Sequence, residues 1–554
     1  MILAFELDYR SDSGVYERIF LRTLEEHNLH GNILKEGFRM QWYVLADTAD
    51  TLGEFASALT EALPHSIFLY DTQAQIIDTM PDVDAPYTLP PKLPQPFCPR
   101  CKQRVTEDDN PDYYNVFAHC DVCGYGTPGE ARDYEPDIVR AADAIIAGEV
   151  VEVTTHYGTY RIGLPNDAWA EYAPDLLVYD LATVQKYAQA QEYELTALAA
   201  FEKPMIRLKT TPQCQEDYPV LGSDPIRFRL PDDMVLHLLM DALHRRLVDL
   251  VAITAEPIDA KTSLDLVQPL AEYAPIEVVA SPTHIAILSG DRGLPEPLPR
   301  QPEVVEDLSP FYSIIREHGL TETNIIGLNL RHDGHNAILV HGEKFGTIEY
   351  LSVMFRFETV AGIFREIIES GETGKKLIAN YRKTFPELYD RVKLIRFDDP
   401  QINLFRLWGI VGMIFGLSDT TDPLEAARVL EANATAFGGT KGPRIDYIPI
   451  RENAKVSLDP LKTIRSAISF KLADIDPQGL SYGVIESFLE FVGNELNEIQ
   501  QSMNTTAIAI YGSLLENKDL FAKIVSESAT SHAVYVNNQL PVDGRNALYG
   551  GASL

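Results

Sequence analysis

The chain has 554 residues, too many for one hydrophobic core, so it reads as several domains. Its formal charge is −34, from 47 Lys+Arg against 81 Asp+Glu, which argues against the clustered basic surface that nucleic acid or an anionic membrane demands. Hydrophobic residues at 45% and charged residues at 23% are ordinary for globular domains.

The first residues, MILAFELDYRSDSG, have no basic n-region and no apolar core of a signal peptide. The longest apolar run, LWGIVGMIFGL at 407–417, has 11 residues, too few to cross a bilayer, and is expected as a buried helix. A cytoplasmic protein without membrane insertion follows. AFELDY predicts a strand. Apolar residues at Val15, Tyr16, Ile19, Phe20 and Leu24 predict a helix over VYERIFLRTLEEH. LHGNILK and FRMQWYVLA follow as strands, then TLGEFASALTEAL as a helix and SIFLYD as a strand. That order, β-α-β-β-α-β, is the ferredoxin-like pattern over 1–83. DAPYTLPPKLPQPF (84–97) has five prolines and predicts a stiff linker. RGLPEPLPRQP (292–302), with four prolines, predicts a second. Between them a mixed α/β body is expected over 133–291, opened by helix DIVRAADAIIAG and strand EVVEVTT. Residues 303–554 read as one large α/β unit.

Residues 84–132 hold the strongest chemical signal. Cys98, Cys101, Cys120 and Cys123 form two CxxC pairs with 18 residues between them. CxxC lets two thiolates of one tight turn reach one ion, and two such turns close a tetrahedral four-thiolate site. Zinc in that site has no open position, so its expected role is structural. His119, beside Cys120, is expected in the outer surroundings of the site or exposed. Cys214 stands alone and is expected to be a buried apolar residue.

The order of a βαββαβ unit, a CxxC-x18-CxxC knuckle and the helix-strand IVRAADAIIAGEVVEV resembles HypF, the carbamoyltransferase family of nickel–iron hydrogenase maturation. FEKPMIRLK, LPDDMVLHLLMDAL, NLFRLWGIVGMIFGL and PVDGRNAL resemble further segments of that family. The resemblance implies an acylphosphatase-like domain at 1–83, a zinc knuckle at 84–132, a YrdC-like domain at 133–291 and a TsaD-like domain of actin-like ATPase fold at 303–554. It also implies carbamoyl phosphate and ATP as substrates, and hydrogenase proteins as partners.

Departures from the family pattern fall where charge is needed. In SDSGVYERIF the position of the phosphate-cradling arginine holds Tyr16, and Arg18 comes two residues late, where a solvated helix residue is expected. The position of the water-orienting asparagine falls near Lys35. In THYGTYRI the ATP lysine is replaced by Thr155, while Gly158 and Tyr160 match. The basic triphosphate cluster is absent from an acidic stretch, and the family's HxxxH metal motif is absent too.

The C-terminal unit keeps more. IIGLNLRHDGHNAILVHGEKFG (325–346) resembles a phosphate-facing hairpin, with His332, Asp333 and His335 on its turn. YGSLLEN (511–517) resembles a nucleotide-binding helix start through Gly512 and Ser513. Asp543 and Gly544 match a terminal Asp-Gly whose acid ligates iron in the family. Two readings follow. The first is a HypF-like maturation or assembly factor of reduced or no carbamoyltransferase activity, acting through a hydrogenase subunit or other maturation proteins. The second is an ATP-dependent carbamoyl or nucleotidyl transferase that works only through the C-terminal domain, with His332, Asp333, His335 and Asp543 catalytic and Gly512, Ser513 and Gly544 on nucleotide. A zinc-stapled α/β protein of another pathway is a third.

Overall fold

Alternation of apolar residues along the first strand fixes the first domain. The structure, a computed structural model, describes residues 1–37, 39–81, 87–90, 96–126, 128–222, 224–270, 273–290, 308–452, 455–537 and 541. β1 (Ile2–Tyr9), α1 (Val15–Glu26), β2 (His30–Glu36), β3 (Arg39–Leu45), α2 (Ala49–Ala62) and β4 (Leu69–Ile77) succeed one another as expected. The sheet order is β2-β3-β1-β4, with each neighbour antiparallel. Phe20 of α1 stacks on Trp42 of β3 at 4.7 Å, and Phe55 of α2 meets Phe20 edge-on at 6.1 Å. Aromatic pairs of this geometry stabilise beyond their buried area.

The last strand starts later than SIFLYD suggests. Ser66 and Ile67 do not pair in the sheet, because Glu202 takes them. Its carboxylate accepts from Ser66 Oγ at 2.6 Å and from the Ile67 N–H at 3.1 Å. The Phe201 N–H adds a bond of 2.7 Å to the His65 carbonyl. The ferredoxin-like domain is thus bolted to the α/β body that follows it. The described part of the Pro-rich stretch is packed rather than free. Tyr87 OH donates to Glu17 Oε1 at 3.1 Å, and Arg18 Nη2 donates to the Pro90 carbonyl at 3.0 Å. The second Pro-rich stretch, 292–302, lies outside the described residues.

After helix α3 (Pro99–Thr106) and helix α4 (Glu135–Ile146) the body is built on a mixed sheet. Its strands are β5 (Val151–Thr155), β6 (Gly158–Gly163), β7 (Asp175–Val178), β8 (Met205–Leu208), β9 (Ile226–Arg229), β10 (Leu250–Thr254), β11 (Thr262–Asp265), β12 (Glu277–Ala280) and β13 (Ile285–Ser289). Among the described residues their order is β11-β5-β6-β10-β7-β9-β8-β12-β13. The helix Met234–His244 is buried from Met234 through Leu243, so it is apolar nearly all round. Its two acids, Asp233 at the N-cap and Asp241, are buried and each has a partner described below.

The chain divides into two compact units, one with its described body ending at Gly290 and the other running from Leu308 to Asn537. The second unit has a sheet of β14 (Ile325–Asn329), β15 (Asn336–Gly342), β16 (Gly346–Arg356), β17 (Gln401–Asn403), β18 (Pro449–Glu452), β19 (Lys455–Leu458), β20 (Ala507–Tyr511) and β21 (Ala533–Tyr535). The order is β18-β19-β16-β15-β14-β20-β21, with β17 on β16. β14 and β20 are adjacent and parallel, Asn329 opposite Tyr511, so the loops leaving both strands emerge side by side. The apolar run at 407–417 falls mostly in the buried helix Leu404–Phe415, as expected. Among the described residues no helix is long and apolar enough to cross a membrane.

Removing the Glu202 carboxylate leaves the buried Ile67 N–H without an acceptor. Glu202→Ala is expected to lower stability by about 2–4 kcal/mol, with a smaller loss in Glu202→Gln, whose amide oxygen still accepts. Chemical denaturation of the purified variants measures this. An unchanged midpoint in Glu202→Ala would dismiss the bolt.

Candidate functional site

The four cysteines come together. Cys98 is the N-cap residue of α3 and Cys101 lies in its first turn. Cys120 and Cys123 sit on a tight turn, closed by the Gly124 N–H on the Cys120 carbonyl at 2.9 Å. The Sγ atoms all lie within 4.8 Å of one another, and all four residues are buried. Three separations are 3.6 Å (Cys98–Cys101), 4.0 Å (Cys98–Cys120) and 3.6 Å (Cys101–Cys123). A tetrahedron of Zn–S bonds has edges of about 3.8 Å, so the donor set fits that ion's size and softness. Backbone N–H groups of Cys123 and Tyr125 reach the sulfurs of Cys120 and Cys123, at 3.5 and 3.4 Å, which supports thiolate charge. His119 takes no part: its ring is 56% exposed and paired with Asp121.

Hydrogen bonds from its neighbours, Cys101 first, hold the Cys120 thiol well below the ordinary range, while the bond to Cys120 pushes Cys101 up. Four thiolates cannot share this volume without a cation.

The cysteine module is docked by two tyrosines onto the helix Met234–His244. Tyr114 OH donates to Asp241 Oδ2 at 2.8 Å. Tyr125 OH accepts from the Met234 N–H at 2.9 Å and lies 3.4 Å from Asp233 Oδ2 and 3.3 Å from His156 Nδ1. His156, on the β5–β6 turn, holds Asp233 Oδ2 with its ring at 2.7 Å and its backbone N–H at 3.2 Å. Both residues are buried. Burial lowers the His156 pKa, but the Asp233 charge and hydrogen bond outweigh it and raise the imidazolium above its ordinary 6.5. Sequence reasoning passed over this cluster. The visible signal was Asp233 before an apolar helical run, a helix N-cap.

The turn Thr155–Gly158, where the family's ATP lysine would stand, is closed on itself. Thr155 Oγ1 donates to the Gly158 carbonyl at 2.9 Å and accepts from the Tyr157 N–H at 3.1 Å. Tyr160 lies under the Arg229 guanidinium at 5.2 Å, and Arg229 is paired with Asp232 at 2.6 Å, both 1% exposed.

In the ferredoxin-like domain Tyr16 is buried and stacked on Tyr9 at 4.3 Å. Arg18 is not the solvated residue expected: it folds back and donates to the Ser13 carbonyl at 2.7 Å. Lys35 Nζ reaches Ser11 O, Asp12 and Glu17, at 3.4, 3.5 and 3.4 Å. Glu17, which the sequence did not single out, is fully buried at this loop. Its carboxylate faces the cations that a phosphate would need, so the residues present do not fit a phosphate cradle.

In the second unit the turn after β14 and the exit of β20 do meet. The His332 N–H donates to Ser513 Oγ at 3.0 Å, and His332 Nε2 lies 3.5 Å from Glu516. Gly512 has φ +113° and runs so close to Leu330 that a Cβ would lie 2.1 Å from its carbonyl oxygen, so only glycine fits. The residues after it form a short 3-10 turn, Ser513–Glu516, and the α-helix starts at Lys518 on an Asn517 cap. Asn403 ties the turn to the helix Leu404–Phe415, donating to the carbonyls of His332 and Gly334 at 3.1 and 3.0 Å. Asp333 pairs with Arg406, which also binds Asp399. His335 faces elsewhere, toward Glu349 at 2.7 Å. Asp543 and Gly544 lie outside the described residues. Asn403 and Arg406 were missed in the sequence, although Asn403 precedes an apolar run as a cap does.

No model of a known protein family matches the chain. It is 29% identical over 418 residues to Protein HydE of Wolinella succinogenes, covering 73% of each chain. A crystal structure of full-length HypF in the phosphate- and nucleotide-bound form covers 100% of this chain and 98% of its own, with a TM-score of 0.67 at 13% identity. HypF of T. kodakarensis gives the same TM-score and coverage at 12% identity. Over its whole length the chain has the fold of HypF.

Cys98→Ser is expected to lose the bound metal and to cost the cysteine module roughly several kcal/mol, because metal binding is folding energy there. Elemental analysis and a melting curve check both; unchanged metal content and melting would refute the site. His156, raised above 6.5, contributes stability fully below that pH and loses it as pH climbs through the raised value. The stability difference between the protein and His156→Gln should therefore shrink as pH rises from below 6.5 through the raised value. A difference that stays flat or grows would mean that the imidazole is neutral in the fold.

Proposed function

We propose that this protein is a HypF-like maturation or assembly factor for nickel–iron hydrogenase, with reduced or no carbamoyltransferase activity, acting through protein partners. One observation carries the reading: a HypF fold over the whole chain whose acylphosphatase-like loop is filled by Glu17 and whose Thr155–Gly158 turn is closed by its own hydroxyl. The positions of the family's phosphate arginine and ATP lysine hold Tyr16 and Thr155, and that of its water-orienting asparagine falls near Lys35. The metal of the four cysteines is zinc with a structural role, since four thiolates leave no position for water. The partner is a hydrogenase subunit or another maturation protein. The acidic surface of a chain at −34 would steer a partner of basic surface.

A second reading is favoured by the C-terminal crevice. Loops leaving the carboxyl ends of adjacent parallel strands are where α/β sheets bind ligands. Gly512, Ser513, Arg406 and the His332–Asp333 turn converge there. On that reading ATP binds in this unit alone.

Calorimetric titration of the zinc-loaded protein with ATP·Mg²⁺ and with carbamoyl phosphate separates the two. The first reading expects no heat at about millimolar ligand, the upper end of ordinary substrate affinities. Heat from ATP that disappears in Gly512→Val and in Asp543→Ala would overturn it in favour of the second.

A further inference from the structure

We propose that the helices Glu372–Thr384 and Pro460–Leu472 form a docking face for an acidic segment of a partner protein. The two helices carry seven cations and one acid, Glu372, in a chain whose 81 acids outnumber its 47 basic residues. They pack against each other. On the first, Lys376 and Lys383 are seven residues apart, as are Lys375 and Arg382, so each pair recurs after two turns on one side. All four are exposed, and the buried side of this helix is Gly374, Ile378 and Tyr381. On the second, Lys462 is exposed and Arg465 and Lys471 are half-buried.

Both arginines are held by neutral groups. Arg465 donates from Nη1 to Ser370 Oγ at 3.2 Å and from Nη2 to Thr373 Oγ1 at 3.0 Å. Arg382 lies over the Tyr389 ring at 5.5 Å. Thr373 and Arg382 are nine residues apart, which puts them on opposite flanks of the first helix with Lys376 and Lys383 between them. These tethers place the two guanidinium groups without neutralising them, which lowers the ordering cost of binding a carboxylate. Lys375 does have a carboxylate, Glu372 at 3.9 Å, but both side chains are well exposed and such a pair is worth little. Asp390, at the Arg382 flank, is engaged by Lys393. The helix dipole accounts for Arg382, Lys383 and Lys471, which stand in last turns. It does not account for Lys375, Lys376 or Arg465, and it disfavours Lys462 in the first turn of the second helix. So much like charge on one face is a cost within the fold, and an acidic partner relieves it.

The kind of partner follows from what accompanies the charge. Besides its ions the exposed side of the first helix bears Thr373, Ala379, Asn380 and Thr384, so it has no large apolar residue to bury in a membrane. The aromatic rings nearby are buried or covered by cations: Tyr381 is buried, Arg382 and Lys393 lie over Tyr389, and Lys471 lies over Phe385. A face that binds nucleic-acid bases needs open rings for stacking. Carboxylates of a polypeptide fit what remains. Lys376 and Lys383 lie about 10 Å apart along the helix axis, a distance that an extended segment covers in about three residues. The face is opposite in sign to the chain as a whole, and it stands independently of the HypF reading.

Fluorescence anisotropy of a labelled hexaglutamate peptide with the full-length, zinc-loaded protein tests the face. At about 0.15 M salt, screening over about 8 Å mutes the acidic bulk of the chain. The expected result is saturable binding that weakens at least about tenfold in Lys376→Glu with Lys383→Glu, a change of about 1.4 kcal/mol. Lys261→Glu with Arg140→Glu makes the same change in net charge at exposed residues of the first unit and should leave binding as it was. All four substituted residues are exposed, so both double variants should keep the unfolding midpoint of the parent. No binding at about 1 mM peptide, where only the weakest affinities remain unread, would overturn the proposal. Binding unchanged in Lys376→Glu with Lys383→Glu, or an equal loss in the control pair, would do so as well. So would tighter binding of duplex DNA or of phosphatidylserine vesicles than of the peptide, or self-association of the chain that the first double variant abolishes while the peptide fails to bind.

Discussion

Four sulfur atoms within 4.8 Å of one another are the constraint on which the first unit depends. Their charges repel, and burial takes away the water that would screen them, so a cation is the physical solution. The module that carries them is too short to build a core of its own. It draws stability from the ion and from docking, and the docking is specific. Tyr114 and Tyr125 each reach a buried aspartate on one apolar helix, and Tyr125 also supplies a backbone N–H to a cysteine sulfur. Metal ligand, tyrosine, Asp233 and His156 are thereby linked in one hydrogen-bonded chain. The β5–β6 turn is held at the far end of it. A buried network of this kind is costly if half-made and stiff when complete, which suits a part that positions others.

A second regularity runs through the sites where the HypF resemblance leads one to expect an anion. Acids or hydroxyls of the chain itself already stand there. Lys35 faces Glu17 and Asp12, Arg229 is held by Asp232, Thr155 turns back on Gly158, and Arg406 lies between Asp333 and Asp399. A phosphate entering such a place has to displace a carboxylate that pays no entropy of association. Breaking a buried pair such as Arg229–Asp232 also leaves an uncompensated charge, which costs several kcal/mol. The excess of 81 acids over 47 basic residues is thus expressed at particular sites as well as in the net charge.

What the sequence made legible followed from short-range rules. The ferredoxin-like order came from apolar spacing, the buried helix from an uncharged run, and the cysteine cluster from CxxC spacing that leaves few other geometries. What it hid was long-range. Nothing near Ser66 announces that Glu202, far along the chain, will take its backbone out of the sheet and delay β4 to Leu69. Arg18 looked like a surface residue because its partners, Ser13 O and Pro90 O, are backbone atoms without a side-chain signature. Of the C-terminal candidates, His332, Asp333, Gly512 and Ser513 do gather, because β14 and β20 are parallel neighbours. His335 departs because the strand it opens alternates its side chains, which sends that ring toward Glu349 on β16.

These observations bear on how a large fold is shared with solved HypF chains at 12–13% identity. Packing tolerates wide substitution if volume and pattern are kept, so the core alone places little demand on residue identity. Charge at a site places a stricter demand, and at two positions where the resemblance leads one to expect a cation the chain has Tyr16 and Thr155. The strict features of this chain are of another kind: the four-cysteine cluster, the tyrosine docking onto one helix, and a glycine that only fits where two loops touch. All three fix the position of backbone.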